Sequence, residues 1–201
     1  MKQSELFKLS CQCLLLDEYP ELTENIRVKF VSGEVNLDAF ILLCSNHFVL
    51  PAITLHLKNS GLIELFPNDY ADHLNEIYLL NRKRNKEILQ QIDEISKQLK
   101  KEDIEPIYLK GTANLLDNLY NDSGDRMIGD IDFLVQDKDY LKTVELIFEL
   151  GYKNDSTVYG DVKAYKHYPR LYKKDVPADI EIHRVPVSIP FSKQFNTEVL
   201  S

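Results

Sequence analysis

The sequence has few basic residues, few cysteines and no long apolar run, and each shortage excludes a class of protein. Its 201 residues include 24 Lys and Arg against 32 Asp and Glu, which gives a formal net charge of −8. Duplex nucleic acid needs a basic footprint to neutralise its phosphates, so this charge argues against such a partner. A membrane-spanning helix needs about 18 consecutive apolar residues or more, and the sequence has no such stretch.

The three cysteines, Cys11, Cys13 and Cys44, do not form a zinc-binding pattern. Cys11 and Cys13 lack the second pair that would complete a tetrahedral site. Free thiols are typical of a reducing cytosol. Charges return at Asp17 and Glu18 before a signal-peptide core can form. We therefore expect a cytoplasmic protein without a cleavable leader.

The first hundred residues have the hydrophobic periodicity of helices. The longest predicted helix begins near Asn68 and runs to about Lys101. Four of its apolar residues recur at helical spacing and predict one buried stripe. These residues are Ile88, Ile92, Ile95 and Leu99. Residues 1–102 are interpreted as a helical N-terminal region with a structural or partner-binding role.

After Pro106 the pattern changes to short strands and helices. Ile107–Leu109 predicts a buried strand, and a glycine turn and a helix over residues 113–120 follow it. Asp130–Val135 predicts a second strand. The order of strand, turn and helix indicates a mixed α/β domain.

The same pattern continues toward the C-terminus. Asp137 is expected to cap the next helix, and Gly151 stands where a left-handed residue would end it. Further strands are predicted near 163–171 and 178–185. Residues 103–201 are therefore predicted to form an α+β core with a small mixed sheet flanked by helices.

Asp130 and Asp132 are two residues apart in the predicted strand, so both project from one face while Ile131 faces the core. We expect neither carboxylate to belong to the core. Two carboxylates on one face repel each other unless a cation lies between them. Mg²⁺ suits this position because it takes one or two protein carboxylates and completes its shell with waters and phosphates. Taken alone, the pattern also fits an exposed strand end with two solvated acids.

Two further segments carry polar groups that suit the same chemistry. In Lys110-Gly111-Thr112, a glycine between a strand and a helix allows the backbone to approach a phosphate. The alternative is an ordinary turn in which Thr112 is the helix N-cap. Further on, Asp179 and Glu181 share one face of the last predicted strand with His183.

These segments, in this order, resemble the nucleotidyltransferase superfamily, whose fold is shared with DNA polymerase beta. More narrowly, they resemble the bacterial family of uncharacterised nucleotidyltransferases. The likeness extends over roughly residues 100–185. The residues that carry it are Leu109-Lys110-Gly111, Leu115-Leu116, Tyr120, Gly124, Arg126, Gly129-Asp130-Ile131-Asp132-Phe133-Leu134-Val135, Lys166-His167 and Ile180-Glu181-Ile182-His183.

The resemblance implies Mg²⁺-dependent transfer of a nucleotidyl group from a nucleoside triphosphate to a hydroxyl acceptor. The acceptor would be a small molecule, a protein side chain or an RNA end. Asp130, Asp132 and Glu181 would hold two Mg²⁺ ions, with Mn²⁺ as an alternative metal. Asp179 lies on the same predicted face and stays open as the third carboxylate.

The resemblance also implies roles for residues around the carboxylates. Gly111 and Thr112 would hold the β- and γ-phosphates, and Lys110 would neutralise phosphate charge. Arg126 would either pair with a nucleotide phosphate or brace the acidic strand from outside. His183 would orient Glu181 through a hydrogen bond.

Two other functions stay open at this point. The chain would be a degenerate module that binds a nucleotide without turnover, or an interaction protein whose helical half docks a partner, such as half of a toxin–antitoxin pair. Relatives continue with a helical C-terminal region, so we expect residues 103–201 to be a shortened catalytic core.

Overall fold

The computed structural model describes residues 1–154, 165–187 and 191. Its elements, in chain order, are α1 (Gln3–Leu14), α2 (Leu22–Val31), α3 (Leu37–Asn46), α4 (Leu50–Asn59), a 3-10 helix (Leu62–Leu65), α5 (Asn68–Lys100), β1 (Ile107–Tyr108), α6 (Lys110–Leu116), β2 (Asp130–Leu134), α7 (Tyr140–Glu149) and β3 (Asp179–His183). The predicted α+β class, with a small mixed sheet and a helical N-terminal region, is confirmed. None of the helices described is long and apolar enough to cross a membrane.

The chain divides into two compact units by its internal contacts. The first contains Met1–Asn85 and the segment Tyr120–Met127, and the second contains Lys86–Leu119 and Ile128–Ser201. The domain boundary at residue 102 that the sequence suggested stays a prediction.

The first unit is built from short amphipathic helices around one apolar core. Asn36 begins α3 by accepting a hydrogen bond from the backbone N–H of Ala39 at 2.9 Å. Pro51 lies in the first turn of α4, where its missing N–H costs nothing. Cys13 and Cys44 are free and buried, and burial raises the pKa of the Cys44 thiol to about 12. These two thiols therefore pack as small apolar side chains.

Two asparagines of α5 hold the segment Tyr120–Met127 within the first unit. The side-chain amide of Asn85 donates to the carbonyl oxygens of Ser123 at 2.5 Å and Arg126 at 2.6 Å. The amide of Asn81 donates to the carbonyl of Gly124 at 2.8 Å. Both asparagines are buried, so these bonds satisfy loop carbonyls that water does not reach.

The second unit packs one face of a three-stranded sheet on a helical core. The sheet has the order β1-β2-β3, with β1 antiparallel and β3 parallel to β2. The predicted stripe on the later part of α5 is confirmed, because all four of its residues are at most 3% exposed. They share the core with Ile131, Phe133, Ile180 and Ile182 of the sheet.

Several predicted boundaries in the second unit are corrected. Helix α6 occupies Lys110–Leu116 and not residues 113–120, and its N-cap is Leu109. The N-cap of α7 is Asp139 and not Asp137, and the carboxylate of Asp137 accepts a hydrogen bond from Arg184 at 3.0 Å.

Two other predicted elements lie near the C-terminal part of the unit. Gly151 has a φ of +90° directly after α7, as expected for the residue that ends a helix. The strand predicted near 163–171 is reduced to isolated bridges at His167 and Leu171, and residues 163 and 164 lie outside the described residues.

Gly124 provides a direct test of the packing in the first unit. A Cβ atom there would lie 2.7 Å from the Tyr78 ring and 3.0 Å from Cβ of Arg82. We expect Gly124→Ala to lower the free energy of unfolding by about 1–3 kcal/mol through overpacking. Gly129→Ala is the matched control, because a Cβ at Gly129 meets no atom within 4 Å. Urea unfolding of both variants checks the prediction, and equal stabilities would contradict it.

Candidate functional site

The parallel register of β2 and β3 places acidic side chains next to one another. Asp130 pairs with Asp179, and Asp132 pairs with Glu181. Side chains alternate between the faces of a sheet, so these four carboxylates lie on the face opposite to the apolar core. The last pair of the same register brings His183 of β3 onto this face.

Asp132 lies at the buried centre of the cluster. It is 1% exposed, so the expectation that it lies outside the buried interior is wrong. Its Oδ1 atom is 2.9 Å from Nε2 of His183 and 2.5 Å from Nζ of Lys110. Burial alone would raise the pKa of Asp132, but the hydrogen bonds from His183 and Lys110 outweigh it and lower the pKa to about 2. Asp132 is therefore an ionised carboxylate held inside the protein.

Glu181 connects the buried carboxylate to the exposed part of the site. Its Oε2 atom lies 3.7 Å from Nζ of Lys110 and 3.7 Å from Nε2 of His183. The ring of His167 packs against that of His183 with centroids 5.1 Å apart. The predicted hydrogen bond from His183 goes to Asp132 and not to Glu181, because Asp132 is the nearer carboxylate.

Asp130 is the more accessible member of the β2 pair, with a side chain that is 27% exposed. Partial burial, and then the charges of Asp132 and Glu181, raise the pKa of Asp130, while Arg170 and Lys110 oppose this shift. Like charges so close together favour a cation among them.

Arg170 is the residue that sequence reasoning missed. Its Nη2 atom donates to Asp130 Oδ2 at 3.0 Å and to Glu181 Oε1 at 3.2 Å. Its Nη1 atom lies 3.9 Å from Asp179 Oδ2. The hydrogen bond with Glu181 leads the interactions that raise the pKa of the Arg170 guanidinium.

A bulge in the backbone brings Arg170 to the acidic face. His167 bridges His183, and Leu171 bridges Ile180, so three residues of this segment stand opposite two of β3. Strict alternation from His167 would turn residue 170 toward the core. The extra residue reverses the alternation, so Leu171 is buried with the core and Arg170 faces the acids.

The segment after β1 contributes Lys110 and anchors it to β2. The hydroxyl of buried Thr112 accepts a hydrogen bond from the N–H of Asp132 at 3.2 Å and lies 3.4 Å from the carbonyl of Asp130. A Cβ at Gly111 would make only ordinary contact with Ile128, at 3.6 Å. The contacts of Gly111 and Thr112 with a nucleotide stay predictions.

Arg126 belongs to the segment Tyr120–Met127 of the first unit. Its carbonyl oxygen accepts hydrogen bonds from Asn81 and Asn85. Its predicted pairing with a nucleotide phosphate stays a prediction.

The donor atoms of the site suit a divalent cation. Ligand atoms of Asp132, Glu181 and His183 all lie within 4.8 Å of one another. Carboxylate oxygens suit Mg²⁺ and Mn²⁺, and an imidazole nitrogen is a further ligand for transition metals. Within the part of the chain that the structure describes, the four carboxylates also exceed the two permanent cations, Lys110 and Arg170, that contact them. The residues present therefore fit the binding of metal.

Comparison with known proteins gives one family. The family described as "Uncharacterised nucleotidyltransferase" matches residues 33–200. This match begins well before residue 100, so it includes most of the helical region as well as the acidic strands. No curated protein and no solved structure matches the chain significantly.

When a chelator removes metal, replacing Asp130 and replacing Asp132 by asparagine should have different effects on the free energy of unfolding. Asp132→Asn removes a carboxylate whose pKa falls from 3.8 to about 2 on folding, and we expect it to lower the free energy of unfolding by about 2 kcal/mol at pH 7. Asp130→Asn removes a carboxylate whose pKa is raised, so this variant should be as stable as the parent or more stable.

The pH dependence follows from the sign of the Asp132 shift. A lowered pKa stabilises the fold above about pH 4, and this contribution disappears as the pH falls toward 2. The parent should therefore lose more stability than Asp132→Asn between pH 5 and about pH 2, as measured by urea unfolding with chelator. Parallel pH profiles for the parent and Asp132→Asn would contradict the assignment.

Proposed function

Because the chain belongs to the family of uncharacterised nucleotidyltransferases, we propose that it transfers a nucleotidyl group from a nucleoside triphosphate to a hydroxyl acceptor with the help of a divalent metal. The observation that supports this most is the register of β2 and β3, which groups four carboxylates on one face of the sheet. Asp132 within this group is buried and its pKa is lowered, and such perturbed carboxylates are concentrated at functional sites.

Asp130, Asp132 and Glu181 are the residues proposed to hold the metal, with Mg²⁺ as the first choice and Mn²⁺ as the alternative. Once bound, the metal supplies charge neutralisation for the phosphates and activation of the acceptor hydroxyl. Glu181 is favoured over Asp179 as third carboxylate because its Oε2 lies within the cluster formed with Asp132 and His183. Asp179 is in contact only with Arg170 among the groups of this site.

The surrounding residues position the carboxylates and the substrate. His183 is fully buried and holds the Asp132 carboxylate in one orientation. Thr112 ties the first turn of α6 to β2, which fixes the start of the Lys110–Thr112 segment beside Asp132. Lys110 and Arg126 are proposed to neutralise phosphate charge, and Gly111 to allow the backbone to approach the phosphates.

The acceptor is proposed to be a small molecule, a protein side chain or an RNA end. The net charge of −8 disfavours a long nucleic acid. The buried free thiols Cys13 and Cys44 suit a reducing compartment, so we propose the cytoplasm as its location.

A partner-binding module is the second candidate function. It is favoured by apolar side chains exposed on the first unit, among them Phe7 of α1, Leu42 of α3 and Phe48 of the turn after α3, which are 50%, 62% and 63% exposed. A protein that co-purifies in stable stoichiometry, together with no pyrophosphate release, would favour this function over nucleotidyl transfer.

Nucleotide binding should raise the melting temperature of the protein in the presence of Mg²⁺. At a concentration about 100-fold above Kd, the correct triphosphate would stabilise the fold by about 2.7 kcal/mol, which is roughly 5–10 °C for a chain of this size. Asp130→Asn should abolish the shift, because Asp130 is a proposed metal ligand, and its partly exposed side chain can be neutralised without disturbing the core.

The control is Asp117→Asn, which neutralises an exposed aspartate at the end of α6. It should keep the full shift. Pyrophosphate release should follow the same order among the variants once an acceptor is supplied. A shift that is independent of Mg²⁺, or one that Asp130→Asn retains, would contradict the proposed site.

A further inference from the structure

Two cationic side chains bridge the carboxylates in pairs. Nζ of Lys110 contacts Oδ1 of Asp132 at 2.5 Å and Oε2 of Glu181 at 3.7 Å. Nη2 of Arg170 contacts Oδ2 of Asp130 at 3.0 Å and Oε1 of Glu181 at 3.2 Å. Glu181 is common to both pairs and gives one oxygen to each cation. The two cations therefore divide the carboxylate oxygens between them.

The oxygens that Lys110 contacts also belong to the group that suits a metal. Oδ1 of Asp132 and Oε2 of Glu181 are the atoms that face Nε2 of His183, at 2.9 Å and 3.7 Å. An ammonium group and a divalent cation attracted to the same oxygens repel each other. A metal at these oxygens and Lys110 in its present position are therefore alternatives.

Both cations are able to leave without opening the core. The side chains of Lys110 and Arg170 are 52% and 55% exposed, whereas those of Asp132 and His183 are 2% and 1% exposed. Long side chains at half-exposed positions change rotamer at small cost, and a divalent cation at these oxygens would take over the charge neutralisation that Lys110 now gives to Asp132. The buried pair would stay in place while Lys110 and Arg170 move.

We propose that Lys110 and Arg170 are exchangeable counter-cations, which pair with the carboxylates when no divalent cation is bound and pair with the triphosphate of the nucleotide when metal takes those oxygens. Arg170 is thereby assigned to nucleotide binding. Its planar guanidinium suits phosphate oxygens, and Lys110 supplies a point charge. The transfer to the triphosphate rests on the proposed function, whereas the competition with metal does not.

The proposal predicts effects of opposite sign on two affinities. Removing either positive charge removes a competitor for the carboxylates, so Lys110→Gln and Arg170→Gln should bind Mn²⁺ alone about three- to tenfold more tightly than the parent. Each charge-assisted bond to phosphate is worth about a tenfold change or more in affinity. The same variants should therefore bind the Mg²⁺ complex of a non-hydrolysable triphosphate about tenfold more weakly.

Calorimetric titration measures both affinities, with Mn²⁺ alone in one series and the Mg²⁺–triphosphate in the other. Lys138→Gln is the matched control, because it removes one positive charge at an exposed position of the same unit. It should leave both affinities within about twofold of the parent, since long-range charge effects are screened in 0.15 M salt. Circular dichroism and melting with chelator establish that each variant is folded.

Tighter Mn²⁺ binding with weaker nucleotide binding in both variants supports the proposal. Mn²⁺ binding that is unchanged or weaker in both variants would overturn the competition between these side chains and metal. Nucleotide binding equal to that of the parent would overturn the proposed pairing of Lys110 and Arg170 with the triphosphate. A parent that binds Mn²⁺ but no nucleoside triphosphate would refute the proposed function. The Mn²⁺ series would then still decide whether the two side chains compete with metal.

Discussion

The parallel pairing of β2 with β3 is the constraint on which the candidate site depends. Its register sets Asp132 beside Glu181 and brings His183 onto the same face of the sheet. A shift by one residue would turn the carboxylates into the apolar core and expose isoleucines, which a buried sheet face does not tolerate. The core that excludes such a shift is therefore also what aligns the site.

The register groups negative charges on one face of the sheet, and the other described residues of the site neutralise them only in part. An ionised Asp132 away from water is costly, and the hydrogen bonds from His183 and Lys110 offset that cost. The described cations balance the remaining carboxylates incompletely, and the pKa of Asp130 is raised by burial and by its acidic neighbours. This residual negative charge would favour the binding of a divalent cation at the site.

The parts of the fold that follow from local periodicity could be predicted from the sequence. The stripe from Ile88 to Leu99 and the common face of Asp130 and Asp132 depend only on helical and strand repeats. Arg170 could not be found in this way, because a bulge between His167 and Leu171 reverses the strand alternation. The segment around Pro169 has no hydrophobic periodicity from which the bulge could be predicted.

The burial of Asp132 also could not be predicted, because it depends on tertiary neighbours. His183 and Thr112 approach it from distant parts of the chain. The hydrogen bond that the carboxylate of Asp137 accepts from Arg184 could not be predicted for a similar reason, since the two residues are far apart in the sequence. Each of these departures comes from a long-range polar contact and not from a change in secondary structure class.

Metal titration of two matched carboxylate variants tests the central claim, that Asp130, Asp132 and Glu181 form the metal centre. Glu181→Gln and Asp179→Asn each neutralise one acid of β3 two residues apart on the same face. We predict that Glu181→Gln weakens Mn²⁺ binding by tenfold or more, because a ligand oxygen at the buried cluster is lost, whereas Asp179→Asn changes it by about twofold. The reverse order, or equal Mn²⁺ affinities for both variants, would contradict the assignment.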